Sequence, residues 1–257
     1  TIKKMILYFL IMLFLGDFMK KAVLLVCFGN RNIEEQIEKL ITTLKQKFDY
    51  NIYICFTSKF FKKNSKYDID KIFNTLYVKK YDEILCLPMF ILDGIEYNNF
   101  LAYVNNYKNN FKKVKIAKPL LYDDNDFNFI YNFIKNNYKE NLIYICHGTD
   151  CENNYKYEKL FNMFKNENIF FSNLESYPYI EDTIKILKEK NINKIYLKPF
   201  LLFSGKHIKQ DISIYIKNKI IENNIKVELD LKPLLQYDEI INIFLNHLIE
   251  GIKGKEI

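Results

Sequence analysis

The sequence predicts an α/β protein of two similar halves, each a parallel four-stranded sheet flanked by helices. Two observations carry this. From Lys20 onward short apolar runs alternate with longer amphipathic ones, and the chain contains an internal repeat. Length agrees: 257 residues lie between one large domain and two ordinary ones of about 100 to 200 residues each.

The strands read in order as Ala22 to Phe28, Asn51 to Phe56, Glu83 to Leu87 and Val114 to Ala117, then Leu142 to Cys146, Asn168 to Phe171, Lys194 to Leu197 and Lys226 to Leu229. Helical patterns lie between them. In the stretch Ile33 to Phe48, Ile33, Ile37, Leu40, Ile41 and Leu44 recur at helical spacing, and Tyr179 to Lys190 reads the same way. Strand, helix, strand repeated along a chain makes parallel sheets covered on both faces.

The repeat appears twice. Ala22-Val-Leu-Leu-Val-Cys27-Phe28-Gly29 matches Leu142-Ile-Tyr-Ile-Cys146-His147-Gly148, and Pro88-Met-Phe-Ile-Leu-Asp-Gly94-Ile-Glu96 aligns without a gap to Pro199-Phe-Leu-Leu-Phe-Ser-Gly205-Lys-His207. The halves therefore meet near residues 131–141, with 19–135 as the amino-terminal and 136–257 as the carboxyl-terminal half. In open parallel sheets ligands lie outside the carboxyl ends of the strands, so the cleft between the halves is the expected site.

Composition excludes several classes. With 49% apolar and 27% charged residues the chain is globular, and 7 Gly with 5 Pro argue against collagen-like or low-complexity structure. Five cysteines is an odd number, and Cys27, Cys55, Cys86 and Cys146 sit in apolar runs, which reads as reduced thiols. The formal charge of +7 is nearly all lysine, with Arg31 the sole arginine, so sequence-specific nucleic-acid reading through guanidinium forks is not expected. A lysine-rich surface instead attracts polycarboxylates.

Residues 1–18 form a signal-like or non-native leader. Lys3 and Lys4 precede an apolar stretch, Met5 to Leu15, that as a helix reaches only about 16 Å, half of a bilayer core. No small-residue cleavage site follows, and Met19-Lys20-Lys21 leads directly into a strand. The expected address is cytoplasmic, with export as the alternative if the leader is a signal.

The repeat places four side chains at the cleft. His147 ends the first strand of the second half, His207 follows its third strand, Glu175 follows its second, and Glu96 is the first half's counterpart of His207. Imidazole and carboxylate together suit a divalent transition metal without choosing among Co, Ni, Fe and Zn. Each has a plainer reading. A His before Gly also serves structure, His207 also caps a helix end, and the helix dipole alone favours an acid such as Glu175 at a helix start. Asp211, one turn beyond His207, offers it a second carboxylate partner. His247 reads as a surface or packing residue, and Cys146 points to the opposite side of its strand from His147, against a zinc cluster with Cys151. The chain contains no Gly-x-Gly-x-x-Gly after a strand, no phosphate loop and no Gly-x-Ser-x-Gly elbow.

Phe28-Gly29, Phe56-Thr57-Ser58, Pro119-Leu120-Leu121, His147-Gly148, Glu175-Ser176-Tyr177-Pro178, and Pro199 to His207 followed by Asp211 together resemble the sirohydrochlorin cobaltochelatases of the anaerobic cobalamin pathway, in the class II chelatase family. The resemblance runs from about Lys20 to the end. It implies two Rossmann-like halves holding a tetrapyrrole between them, His147 as proton acceptor, His147, Glu175 and His207 as metal ligands, and Glu96 facing the macrocycle. Departures from the family's common pattern are Asn30 for Thr, Phe90 for His, Lys206 for an acidic residue, and the absence of Trp.

The implied function is insertion of Co2+ into sirohydrochlorin. Insertion displaces two pyrrole N–H protons, and a neutral imidazole, with an unperturbed pKa of about 6.5, serves in turn as ligand and base. Sirohydrochlorin or a related tetrapyrrole and a divalent metal are the expected partners, with no nucleotide cofactor and no nucleic acid; a homo-oligomer stays open. The alternatives are an iron chelatase for sirohaem or haem, and a non-catalytic tetrapyrrole or metal carrier.

Overall fold

A computed structural model describes residues 19–62, 65–137, 141–149 and 152–254. The predicted strands all form, and no end moves by more than two residues: β1 (Lys21–Cys27), β2 (Asn51–Phe56), β3 (Glu83–Pro88), β4 (Lys113–Ile116), β5 (Leu142–Cys146), β6 (Ile169–Asn173), β7 (Lys194–Pro199) and β8 (Lys226–Leu229). They make two parallel sheets, ordered β2-β1-β3-β4 and β6-β5-β7-β8. β3 and β7 run on to a proline because the next residue resumes the ladder: Met89 N donates to Val26 O at 2.8 Å and Phe200 N to Ile145 O at 2.7 Å.

The helices are α1 (Ile33–Lys47), α2 (Lys59–Lys62), α3 (Ile69–Val78), α4 (Ile95–Tyr107), α5 (Asp124–Asn137), α6 (Tyr155–Met163), α7 (Ile180–Glu189), α8 (Lys217–Ile221) and α9 (Asp238–Lys253), with His207–Ile216 wound as a π-helix that runs into α8. α1 buries Ile33, Ile37, Leu40 and Leu44, and its charges complement its dipole, with Glu34 and Glu35 in the first turn and Lys45 and Lys47 in the last.

Alternation along the central strands sorts the core into layers. In β1, Val23, Leu25 and Cys27 face a core shared by both sheets, while Ala22, Leu24 and Val26 face an outer core under α3 and α4. In β5, Leu142, Tyr144 and Cys146 face the shared core, while Ile143 and Ile145 face an outer core built from α7, the π-helix and α8. Side chains of α1, α5, α6 and α9 fill the shared core between the sheets. Covered on both faces, β1 is buried from Ala22 to Cys27, as a parallel strand requires.

Two helices cross over. Before the second sheet begins, α5 already packs toward it, with Tyr131 on Phe164 and Phe133 on Tyr237 at ring distances of 4.9 and 5.1 Å. The carboxyl-terminal α9 returns to the first sheet, where Gly251 lies against Leu85 and Ala117. Lys118 clamps this return by ion pairs to Asp123 and Glu250 at 2.8 and 2.7 Å, which hold its ammonium above the ordinary lysine value.

His247 is a buried packing residue. Its Nε2 lies 2.7 Å from Asp126 Oδ1 and its Nδ1 3.2 Å from Lys118 O, joining the two crossing helices, while Asp126 Oδ2 accepts from the backbone of Tyr122 and Asp123. His247→Leu removes the partner of Asp126 Oδ1, and leaving such an atom buried costs about 1–3 kcal/mol. The variant should lose about that much unfolding free energy, read as a lower denaturant midpoint. An unchanged midpoint would mean the pair contributes nothing.

Cys27, Cys55, Cys86 and Cys146 are free and buried, and burial pushes their thiols well above the ordinary value. The expected leader, 1–18, and Cys151 lie outside the described residues. No described helix is long and apolar enough to cross a membrane.

Candidate metal centre

β5 sits between β6 and β7, so the loops leaving β5 and β7 part at the carboxyl edge of the sheet and open a crevice there. His147 follows β5 in the same alternation as Ile143 and Ile145, which turns it toward the π-helix and away from the shared core. Cys146 faces that core instead.

Glu175 reaches His147 through the backbone. Leu174 N donates to Cys146 O and Glu175 N to His147 O, both at 3.0 Å, prolonging the β5–β6 ladder past the strands. The loop then folds back as Asn173 N donates to Pro178 O at 2.7 Å and its side-chain amide to Tyr177 O at 2.8 Å. Gly148 lets the two loops close. At φ +82° it occupies the left-handed region, and a Cβ there would come within 2.4 Å of Ser176 Oγ and 2.8 Å of Asn173 Cβ.

His207 enters from the other side as the first residue of the π-helix, a geometry often found at functional sites. The His147 and His207 rings stand edge to face with centroids 4.9 Å apart, and His147 Nε2 is 3.6 Å from Glu175 Oε1. One donor atom from each of His147, Glu175 and His207 lies within 4.8 Å of the others. Donors about 2.1 Å from a common ion sit about 3.4 Å apart in tetrahedral geometry, so the cluster needs only a modest contraction to share one. All three side chains are partly exposed and free to make it.

Hydrogen bonds select the tautomers. His207 Nδ1 is 2.7 Å from Asp211 Oδ2 and His147 Nδ1 is 3.1 Å from Gly148 O. Carboxylate and carbonyl oxygens only accept, so each Nδ1 carries a proton, and in the neutral ring Nε2 is then the nitrogen with a lone pair for an ion or a proton. A groove of about 320 Å³ walled by Glu175, Tyr179, His207, Asp211 and Tyr215 adjoins the cluster. Lys206 and Lys209 lie exposed beside His207.

Glu96 stands apart from this cluster. It lies in the first turn of α4, and its Oε2 accepts from Thr57 Oγ1 at 2.9 Å. Contacts reaching across from the opposite half escaped the sequence reading: Gln36 and Asn30 bind Ser204, and Lys156 and Asn153 bind Asp93. One signal pointed to Gln36 and Lys156, the matching core spacing of Ile37, Leu40, Leu44 and Tyr157, Leu160, Phe164.

Comparison with known proteins agrees with the architecture. The sirohydrochlorin cobaltochelatase of Salmonella typhimurium is 23% identical over 214 residues, which cover 76% of this chain and 81% of that protein. Among solved structures, SirB from Bacillus subtilis with Fe3+ superposes with a TM-score of 0.65 at 16% identity, covering 91% of this chain and 96% of SirB. The sirohydrochlorin chelatase SirB from Bacillus subtilis subspecies spizizenii, in complex with cobalt, gives 0.60 at 15% identity with the same coverage. These two likenesses show the fold. The family model described as cobalt chelatase (CbiK) matches residues 21–253, from the first strand of one sheet to the helix that returns from the other, and the chain thus belongs to the cobalt chelatase family of metal-inserting enzymes.

Proposed function

We propose that this chain inserts Co2+ into sirohydrochlorin, with His147, Glu175 and His207 binding the ion and His147 accepting pyrrole protons. The observation that carries the reading is the gathering of two imidazoles and one carboxylate at the crevice of the second sheet, in a member of the cobalt chelatase family. Two imidazoles and a carboxylate form a borderline donor set that takes a divalent transition ion and gives it up to ring nitrogens. As the ion enters the macrocycle two N–H protons leave. His147 Nε2 takes one, with Glu175, 3.6 Å away, stabilising the resulting imidazolium, and solvent water takes the other. Exchange of two protons for one dication balances charge, and the reading includes no nucleotide cofactor.

Glu96 faces the macrocycle from the first half, held by Thr57. Exposed lysines, Lys206 and Lys209 among them, draw in the eight carboxylates of the substrate. The reading includes a cytoplasmic address and no nucleic-acid partner.

The test is to offer Co2+ and Fe2+ separately to the protein with sirohydrochlorin and follow the macrocycle's absorbance. Cobalt insertion at an enzyme-dependent rate supports the reading. Insertion of iron alone makes the chain an iron chelatase, and binding without turnover makes it a carrier. Within the site, Asp211→Asn keeps the shape beside His207 but loses the charge that orients it, and changes of this kind cost about 10- to 100-fold in metal affinity. Calorimetry with Co2+ should show a loss in that range.

A further inference from the structure

α1 and α6 occupy equivalent places in the two halves. α1 follows β1 and places Ile37, Leu40 and Leu44 in the shared core; α6 follows β5 and, with the residue just past its end, places Tyr157, Leu160 and Phe164 there at the same spacing. Gln36 and Lys156, each immediately before the first of these, are therefore equivalent positions. Both reach into the opposite half.

Gln36 Nε2 donates to Ser204 O at 3.1 Å while its Oε1 accepts from Ser204 N at 2.6 Å, so one side-chain amide satisfies both backbone groups of one residue. Lys156 Nζ lies 2.8 Å from Asp93 Oδ1 and 3.3 Å from the carbonyls of Leu121 and Tyr122, with its side chain only 6% exposed. A second amide strengthens each clasp: Asn30 Nδ2 donates to Ser204 O at 2.8 Å and Asn153 Nδ2 to Asp93 O at 2.5 Å. Ser204 and Asp93 are themselves paired by the gap-free repeat, and each stands three residues before the side chain its loop delivers, His207 or Glu96.

We infer that Gln36 and Lys156 are reciprocal positioning residues, each fixing the loop by which the opposite half presents its cleft side chain, so that Gln36 sets His207 and Lys156 sets Glu96. The inference rests on the roles proposed above for His207 and Glu96. Its physical basis is the loop itself: residues 200–205 carry no regular secondary structure, and Gly205 has no side chain by which to be held. A residue gripped at both its N–H and its C=O has the two peptide planes that flank it fixed, and precise geometry at a ligand requires such support from the residues behind it. Each grip spans the two halves, so the placement of either cleft side chain depends on how the halves dock.

Gln36→Met keeps the chain length and removes the amide; Lys156→Met does the same for the ammonium, with Asn30→Ala and Asn153→Ala as milder partners should either fail to fold. Two readouts apply, NMR of 13C-labelled histidine, in which three imidazoles are to be assigned, and Co2+ calorimetry with KM for sirohydrochlorin. Gln36→Met should move the His207 signal and leave that of His147, and lower Co2+ affinity about 10-fold. Lys156→Met should raise KM while leaving Co2+ affinity and the His207 signal in place. Crossed effects of this kind would not arise from general loosening. An unmoved His207 signal in Gln36→Met, or equal changes in both variants, overturns the inference. If the wild-type chain binds no Co2+, the metal reading fails, and the His207 signal still judges the clasp.

Discussion

His147→Ala is expected to lower the rate of cobalt insertion by about 10² to 10⁴, the range lost with a general acid or base. The fold should survive. His147 is 42% exposed on its side chain, and its side-chain hydrogen bond runs to the adjacent Gly148 carbonyl, so the truncation opens no cavity in the core. The turn that follows depends on the backbone of Gly148 at φ +82°, which the substitution leaves alone. Insertion rates from absorbance, beside a denaturation curve, separate the outcomes. Near wild-type turnover with cobalt removes His147 from catalysis, and lost activity with lost stability would make it a structural residue.

The second large effect concerns the ion. Glu175→Gln and His207→Ala should each weaken Co2+ binding without tetrapyrrole by more than the roughly 10- to 100-fold typical of an outer partner, because each removes a donor outright. Glu175→Gln is the stringent case. Glutamine keeps an oxygen in the same place and loses the negative charge, so a fall in affinity reports the carboxylate's charge beside the two imidazoles. Glu222→Gln, exposed at the carboxyl-terminal end of α8, controls for net charge and should bind as the wild type does. Equal calorimetric affinity in all four proteins would remove the metal centre as drawn.

Much of this site was legible in one dimension. Parallel strands buried on both faces become uniform apolar runs, and for that reason β1, β5 and their neighbours stood out with their ends nearly correct. The gap-free match of Pro88–Glu96 to Pro199–His207 carried the placement of His207 and Glu96 after third strands, since equal spacing from a strand end means an equal place at a sheet edge. Strand alternation separated Cys146 from His147, and the structure puts them on opposite faces. His247 had no such guide. Its helical context admitted surface or core, and only the return of α9 onto the first sheet brings it to Asp126, 121 residues away.

By itself, then, the sequence determined the class, the two sheets, their strands and the set of side chains at the carboxyl edges, because these depend on local periodicity and on repeated spacing along the chain. Tertiary structure decided which of them meet. It joined His147, Glu175 and His207, left Glu96 with Thr57, and set Gln36 against Ser204 and Lys156 against Asp93. Those pairings follow from sheet order, from helices that cross between the halves, and from the docking of one half on the other. Such contacts join residues up to 174 positions apart, and no pattern confined to neighbouring residues encodes their geometry.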